Sequence, residues 1–303
     1  MLKQSKKQAY ATSAGPVLIE RRSVGKLLTM KRNYLFLPVF LLLLQTNTLL
    51  AQKGIEGLIS AEKKFAAYTA ENNIKSGFLR SFDSAGLVFG RGQAFNAIER
   101  YTKAPQSPGV LLWEPEFAVV SAGGDFGFTT GPYTFSPQKG DSIVDAGNFS
   151  SIWKMNANGE WKCMADMGVS YGKLVHAPVT TVERITLPAK GEKILYDSLL
   201  AIENTLNGAL QQGADALLPF VAERSWFNIN NSLPVKGNAK IREALKVMPA
   251  GLVFQTAGGF LAPAEDLAYV YGKVVNDKKA SNYMRVWIRE NGKWVIALQV
   301  LNW

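Results

Sequence analysis

Two aspartates, Asp83 and Asp166, are the candidates for acid–base chemistry in this chain. Asp83 follows Phe82 in FDSAGLVF. A carboxyl held against an apolar wall has a raised pKa and can serve as a general base. The competing reading is a turn residue bonded to its own backbone, because Asp-Ser before Ala-Gly is turn chemistry. Asp166 closes the strand-like segment EWKCMAD. Counting by twos puts it on one face with Lys162 and Met164, and puts Trp161, Cys163, Ala165 and Met167 on the other. Facing a concave site, Asp166 would partner Asp83 or a tyrosine as acid and base; facing water, it is a strand-end carboxylate. Trp113, Tyr133, Trp153 and Phe82 are the candidate ligand contacts, since aromatic rings offer area together with a polar handle. The same rings also suit a plain core between sheet and helix.

Other chemistries are excluded by residue counts. His176 is the only histidine and Cys163 the only cysteine. A Ser-His-Asp or Cys-His constellation would have to use His176, which stands beside Pro178 with no nucleophile motif nearby. Multi-cysteine and multi-histidine metal sites are ruled out, as is an internal disulfide. Cys163, next to aromatic residues in an alternating segment, reads as an inert buried thiol. The glycine-rich stretches SAGGDFG and QTAGGF lack the Lys-Ser/Thr and the strand-to-helix setting of a phosphate loop. No metal and no cofactor is expected.

The elements that must position these residues come in a repeated order. Leu58–Ala70 sets Leu58, Ala61, Glu62 and Phe65 at helical spacing; Ser76–Phe82 and Arg91–Tyr101 read as further helices, with Ala85–Phe89 extended between them. Five strand-like segments then run from Gly109 to Tyr171, with Asn158-Gly159 as a hairpin turn. Helices return at Leu195–Leu210, Ala214–Val221 and Ala239–Val247. Strands follow at Gly251–Gln255, Leu267–Val275, Asn282–Arg289 and Lys293–Leu301, with Asn291-Gly292 as the last turn. Helices followed by a run of strands is an α+β pattern.

Landmarks recur at matched spacing. Gly131 and Gly272 stand eighteen residues beyond Trp113 and Phe254, and Asp125 and Asp266 precede those glycines by six. Trp153 and Trp287 each precede an Asn-Gly turn and a second tryptophan, Trp161 or Trp294, and Gly92 and Gly237 each open a helix. Equal placement of Asp125 and Asp266 suits a structural turn. Gln299 takes the place of Asp166 in the second copy, which would confine any proton chemistry to the first.

Charge and leader fix the expected address. Of 34 basic and 24 acidic residues, nine basic residues and Glu20 lie in residues 1–53; the remaining 25 and 23 give a body of +2, with no footprint for nucleic acid. From Met30 the chain reads as a signal peptide: Lys31 and Arg32, the apolar run Tyr34–Leu44, a polar break, and small Ala51 at the cleavage point. The run is too short for a lasting membrane span. The expected organisation is an extension or upstream mis-start over 1–29, a signal peptide over 30–51, a first domain over 54–175, a linker over 176–190 and a second domain over 191–303. The product would be periplasmic or secreted, without a membrane anchor.

The segments LLWEPEFAVVSAGGDFGFTTGPY and SIWKMNANGEWKCMADMG resemble the NTF2-like superfamily in its DUF4440 and SnoaL-like branch. The likeness covers about residues 55–171; the second copy departs from it at Phe254, at the missing proline after it, and at Ala268 in place of Gly127. The resemblance implies tandem α+β cones, each a curved antiparallel sheet wrapping N-terminal helices around a pocket. It also implies a carboxylate near the pocket mouth in members that transfer protons, which is the place of Asp83. Functions on this shape include isomerases, cyclases, dehydratases and binding modules, so fold alone does not select one. Three functions are therefore expected to compete. These are binding of a small, mostly apolar molecule or a partner in the first cone, proton transfer by Asp83 and Asp166, and a filled internal pseudo-dimer or homo-dimer.

Overall fold

A computed structural model of the protein describes residues 36–172, 176–189 and 195–303, with side chains from residue 54 onward. The expected extension 1–29, the start of the leader at Met30 and the expected boundary at residues 190 and 191 lie outside the described residues. Of two compact units, Met1–Phe40 and Leu41–Trp303, the second holds both sheets. Ala51, the expected cleavage point, lies within one unbroken helix, α1 (Phe36–Glu71). Among the described residues no helix is long and apolar enough to cross a membrane.

The first half continues with α2 (Ile74–Ser81), β1 (Phe82–Gly90), β2 (Gln93–Asn96), α3 (Ala97–Lys103), β3 (Val110–Trp113), β4 (Phe117–Val120), β5 (Phe126–Ser136), β6 (Asp145–Met155), β7 (Trp161–Asp166), β8 (Val169–Gly172) and β9 (Glu183–Thr186). The second half contains α4 (Tyr196–Leu210), a 3-10 helix over Ala214–Phe220, β10 (Val221–Ile229), β11 (Val235–Lys236) and α5 (Asn238–Leu245). It ends with β12 (Val253–Leu261), β13 (Leu267–Asn276), β14 (Lys279–Glu290) and β15 (Lys293–Leu301). Two sheets result, ordered β2-β1-β7-β6-β5-β4-β9 and β11-β10-β15-β14-β13-β12. The protein is α+β.

The sheets are mixed, where a wholly antiparallel sheet was expected. β1 runs parallel to β7, and β10 parallel to β15. Irregularities fall at matching points: between Phe82 and Leu87 and between Val221 and Trp226, then before Trp153 and before Trp287. Gly131 and Gly272 are fixed by close approach, since a Cβ would stand 2.1 Å from the carbonyl oxygens of Glu114 and Gln255 respectively.

Local signals explain where expectations shift. Residues 91–101 are not one helix: Arg91 and Gly92, with φ of 53° and 75°, form a left-handed turn that closes the β1–β2 hairpin. Asn96 then caps α3, its Oδ1 accepting from the Glu99 amide at 2.9 Å. Gly92 is therefore a turn residue, whereas Gly237 does cap α5. Pro219 accompanies a 3-10 helix where an α-helix was expected. The expected linker carries β9, which adds to β4 in parallel register, Phe117 to Glu183 through Val120 to Thr186.

Among the described residues, three cores hold the structure together. In the first half, α1, α2 and α3 bury Leu58, Phe65, Phe78 and Ala97 on the sheet face that carries Val120, Trp153 and Cys163. In the second, Leu199, Leu206, Leu217 and Ile241 pack on Phe227, Val270 and Trp287. The opposite faces of the two sheets meet in a third cluster, with Phe117, Phe128 and Ile152 against Trp226, Met284 and Leu298. There Trp226 stacks on Phe117 with centroids 5.4 Å apart and planes 11° apart. The buried Asn228 amide donates across the seam to Thr130 Oγ1 at 2.8 Å and Ser150 Oγ at 3.0 Å.

Candidate functional site

The first half leaves a cavity of about 670 Å³ between its helices and its sheet. Phe65 of α1, Phe78 of α2, Tyr101 of α3, Trp113 of β3 and Phe149 of β6 form an aromatic wall, and Asp166 at the end of β7 presents a carboxyl. The volume lies in the range of small-molecule sites, roughly 300–1,000 Å³. Residues of the second half, among them Asn231, Asn282 and Trp303, complete the lining.

Asp166 reaches the cavity through a bulge. Ile152 pairs with Ala165 but Trp153 pairs with Cys163, so Met164 is an extra residue in β7. Cys163 packs in the helix-facing core, Met164 and Ala165 pack at the seam between the sheets, and Asp166 returns to the helix side. Counting by twos fails at that point. Ser151 Oγ donates to Asp166 Oδ2 at 2.9 Å. Asp166 is half-buried and lines the cavity. Desolvation pushes its pKa up to about 7, the charge of Glu62 adds to the rise, and the Ser151 hydrogen bond opposes it.

Glu62 stands behind the cavity wall with no solvent exposure. Its Oε1 accepts from Trp113 Nε1 at 2.6 Å; its Oε2 accepts from Trp153 Nε1 at 2.7 Å and from Thr129 Oγ1 at 2.5 Å. Burial raises its pKa and these donors lower it, with burial the larger effect. A buried carboxyl with three hydrogen-bond donors is satisfied geometrically, and it orients two of the tryptophans picked out by the sequence. Tyr101 is likewise pushed well above the usual phenol range by burial and then by Asp166, so it stays a hydrogen-bond donor at any ordinary pH.

The residues expected to form the site are partly brought together. Trp113, Tyr133 and Asp166 line the cavity. Asp83 does not: it lies near the start of β1, within the irregularity between Phe82 and Leu87, and its Oδ1 accepts from the Ala85 amide at 2.9 Å, the local backbone bond its sequence offered as the alternative. Phe82 and Trp153 are buried in the helix–sheet core, outside the cavity lining. Tyr133 directs its hydroxyl to Asp145 Oδ2 at 2.9 Å, so only its ring is offered to the cavity. His176 lies 3.7 Å from Glu116, away from the cavity, and Cys163 is fully buried. Asp125 and Asp266 both sit in turns, where their carbonyls receive the amides of Met155 and Arg289. Among the described residues no group of His, Cys, Asp or Glu is arranged to hold a metal ion.

Sequence reasoning did not assign Glu62, Ser151 or Tyr101 a role. Glu62 carried a readable signal: it lies four residues after Leu58 and three before Phe65, on the apolar stripe of α1. Ser151 carried none.

In the second half the corresponding carboxyl is Glu203 of α4, also unexposed, and Trp287 Nε1 donates to its Oε2 at 3.1 Å. Arg285 stands where the first half has Ser151. It binds Glu203 Oε1 at 2.5 Å, Asn207 Oδ1 at 2.7 Å and Gln299 Oε1 at 2.6 Å, and lies over the rings of Phe254 and Tyr283. Tyr283 adds its own bond to Glu203 at 3.0 Å. These side chains occupy the interior that the first half keeps open.

No protein-family model matches the chain, and no curated protein matches it. Solved structures resemble parts of it. A putative ketosteroid isomerase from Parabacteroides distasonis aligns at 12% identity and a TM-score of 0.32, over 36% of this chain and 86% of that one. Nuclear transport factor 2 from Cryptosporidium parvum aligns at 16% identity and 0.30, over 35% and 91%. An NTF2-like protein from Cytophaga hutchinsonii aligns at 17% identity and 0.30, over 36% and 97%.

Proposed function

We propose that this chain is an exported tandem of two NTF2-like cones, of the DUF4440 and SnoaL-like kind, whose first cone binds a small, mostly apolar ligand. The observation that carries the binding reading is the aromatic cavity of about 670 Å³ holding one carboxyl, Asp166. The rings supply contact area, and Asp166 with Tyr101 supplies hydrogen bonds to an oxygen of the ligand. The tandem reading is supported by the shared strand order, the matched bulges and the paired Trp153–Glu62 and Trp287–Glu203 contacts. The two cones then meet as a pseudo-dimer within one chain. Unbiased mass spectrometry of small molecules co-purified with the full chain tests the binding reading: a recurrent compound absent from a Leu111→Trp preparation supports it, and identical profiles refute it. Export is checked by N-terminal sequencing of protein recovered outside the cytoplasm, with cleavage expected beside Ala51.

A second reading, proton transfer on the bound ligand, is favoured by one feature: Asp166 has a pKa of about 7 and opens on the cavity. Such a group is half ionised near neutrality, where a general base is most effective. Asp83 takes no part in it. Deuterium washout from the α-carbon of a cyclic ketone, followed by NMR, tests this; exchange should rise with pH through about 7 and vanish in Asp166→Asn. Equal exchange by the variant would end that reading.

A further inference from the structure

The charged residues of the cavity wall are sorted by depth. Asp166 lies at the inner end; Arg91, Arg100 and Lys279 are all exposed and belong to the same lining, so they mark the opening. They come from three separate elements: the β1–β2 turn, α3 and the first residue of β14. None of the three is in an ion pair among the described residues. Glu99, the acid beside Arg100, is engaged with Lys103 at 3.7 Å. The Arg100 guanidinium is steadied over the Phe95 ring, 4.5 Å from its centroid.

Contacts between the halves hold Arg91 and Lys279 at one opening. The Gly92 amide donates to Asn282 Oδ1 at 3.0 Å, and Asn282 Nδ2 donates to Gln93 O at 3.3 Å. A Cβ on Gly92 would stand 2.8 Å from the Ala280 Cβ, so the two segments touch there without room for a side chain on Gly92. Like charges gathered at an opening repel one another, and an anion placed among them relieves that cost.

We infer that the ligand of the first cavity is an amphipathic anion, an aromatic or alicyclic body whose carboxylate, sulfonate or phosphate end lies among Arg91, Arg100 and Lys279. The inference rests on the cavity reading above and adds the chemical class of what enters. The second half contributes to recognition, since Lys279 belongs to it.

Two fluorescent probes with one aromatic body separate the possibilities: anilinonaphthalene sulfonate, which is anionic, and N-phenylnaphthylamine, which is neutral. Titrated into the full chain at low salt, the sulfonate should bind about tenfold more tightly, the sum expected of three exposed charge pairs. That preference should disappear in the triple variant Arg91→Gln, Arg100→Gln, Lys279→Gln. It should also fade near 1 M salt, where the screening length is about 3 Å. Neutral-probe affinity should fall far less in the triple variant than that of the sulfonate. Leu111→Trp, or Ser281→Trp if the first folds poorly, should exclude both probes by filling the cavity. Equal affinity for the two probes, or a preference that survives the triple variant, overturns the inference and leaves the cavity reading standing. Binding of both probes undiminished by the filling variants overturns both.

Discussion

Glu62 of α1 and Glu203 of α4 each accept a hydrogen bond from a buried tryptophan of the neighbouring sheet, Trp153 or Trp287, and otherwise meet different company. Around Glu62 every partner is a neutral donor, and the space beyond it is open. Around Glu203 a buried guanidinium takes the charge, fills the interior and is itself held by Gln299. The difference includes two exchanges on neighbouring strands, Ser151 against Arg285 and Asp166 against Gln299, and the added partners Tyr283 and Asn207. Helices packed on a sheet in this way can enclose an open acidic site or a closed ionic core. Where no long cation is present the interior stays open, and Glu62 and Asp166 have no counter-charge among their hydrogen-bond partners.

The largest test of that contrast is Glu203→Gln, which strands Arg285 without its anion. Loss of about 3–5 kcal/mol is expected in urea unfolding followed by tryptophan fluorescence; a loss below 1 kcal/mol would mean the pair does not organise the second core. Next in size is the pH response of Asp166. Its pKa rises from 3.8 unfolded to about 7 folded, so the folded state holds a proton that the unfolded chain releases first. The stabilising effect is complete below about pH 4 and is lost as pH climbs through 7. Up to about 4 kcal/mol should disappear across that window, with Glu62 adding in the same direction. Asp166→Asn should flatten most of the slope, and a curve unchanged by the substitution would contradict it.

Smaller again is Glu62→Gln, which turns one acceptor into a donor facing Trp113, Trp153 or Thr129. A cost of about 1–3 kcal/mol is expected, with a shift in tryptophan emission that Glu203→Gln does not reproduce at Trp113. Smallest is Gln299→Glu, which gives the second half the acid that the first half has. Beside Arg285 the new carboxylate stays charged, so stability at neutral pH should change by less than about 1 kcal/mol and gain no falling limb between pH 4 and 7. A new falling limb would show that position alone, and not the missing cation, sets the behaviour of Asp166.

Much of the architecture was legible because it depends on local chemistry. The helix-then-strand order, the Asn-Gly turns, the paired Trp153 and Trp287 and the burial of Cys163 all follow from spacing and residue type. Asp166 was readable as a candidate but its facing was not, because the extra residue Met164 is visible only in the pairing of β6 with β7. Asp83 illustrates the converse: the local backbone bond read from Asp-Ser-Ala is present, although the segment is strand and not turn. The cavity itself depends on what is missing beside Glu62, and a serine in a strand gives no hint of an arginine's absence. The β9 strand was hidden in a proline-bounded stretch whose strand partner, β4, lies some sixty-six residues earlier.

That strand changes how the halves are coupled. With β9 fastened along β4 through Thr186, only residues 187–195 remain before α4 begins at Tyr196. So short a tether gives the second half an effective concentration in the millimolar range or above at its docking face. The seam of Phe117, Trp226 and Asn228 therefore forms as a first-order event, indifferent to dilution, in a way that two separate chains could not match.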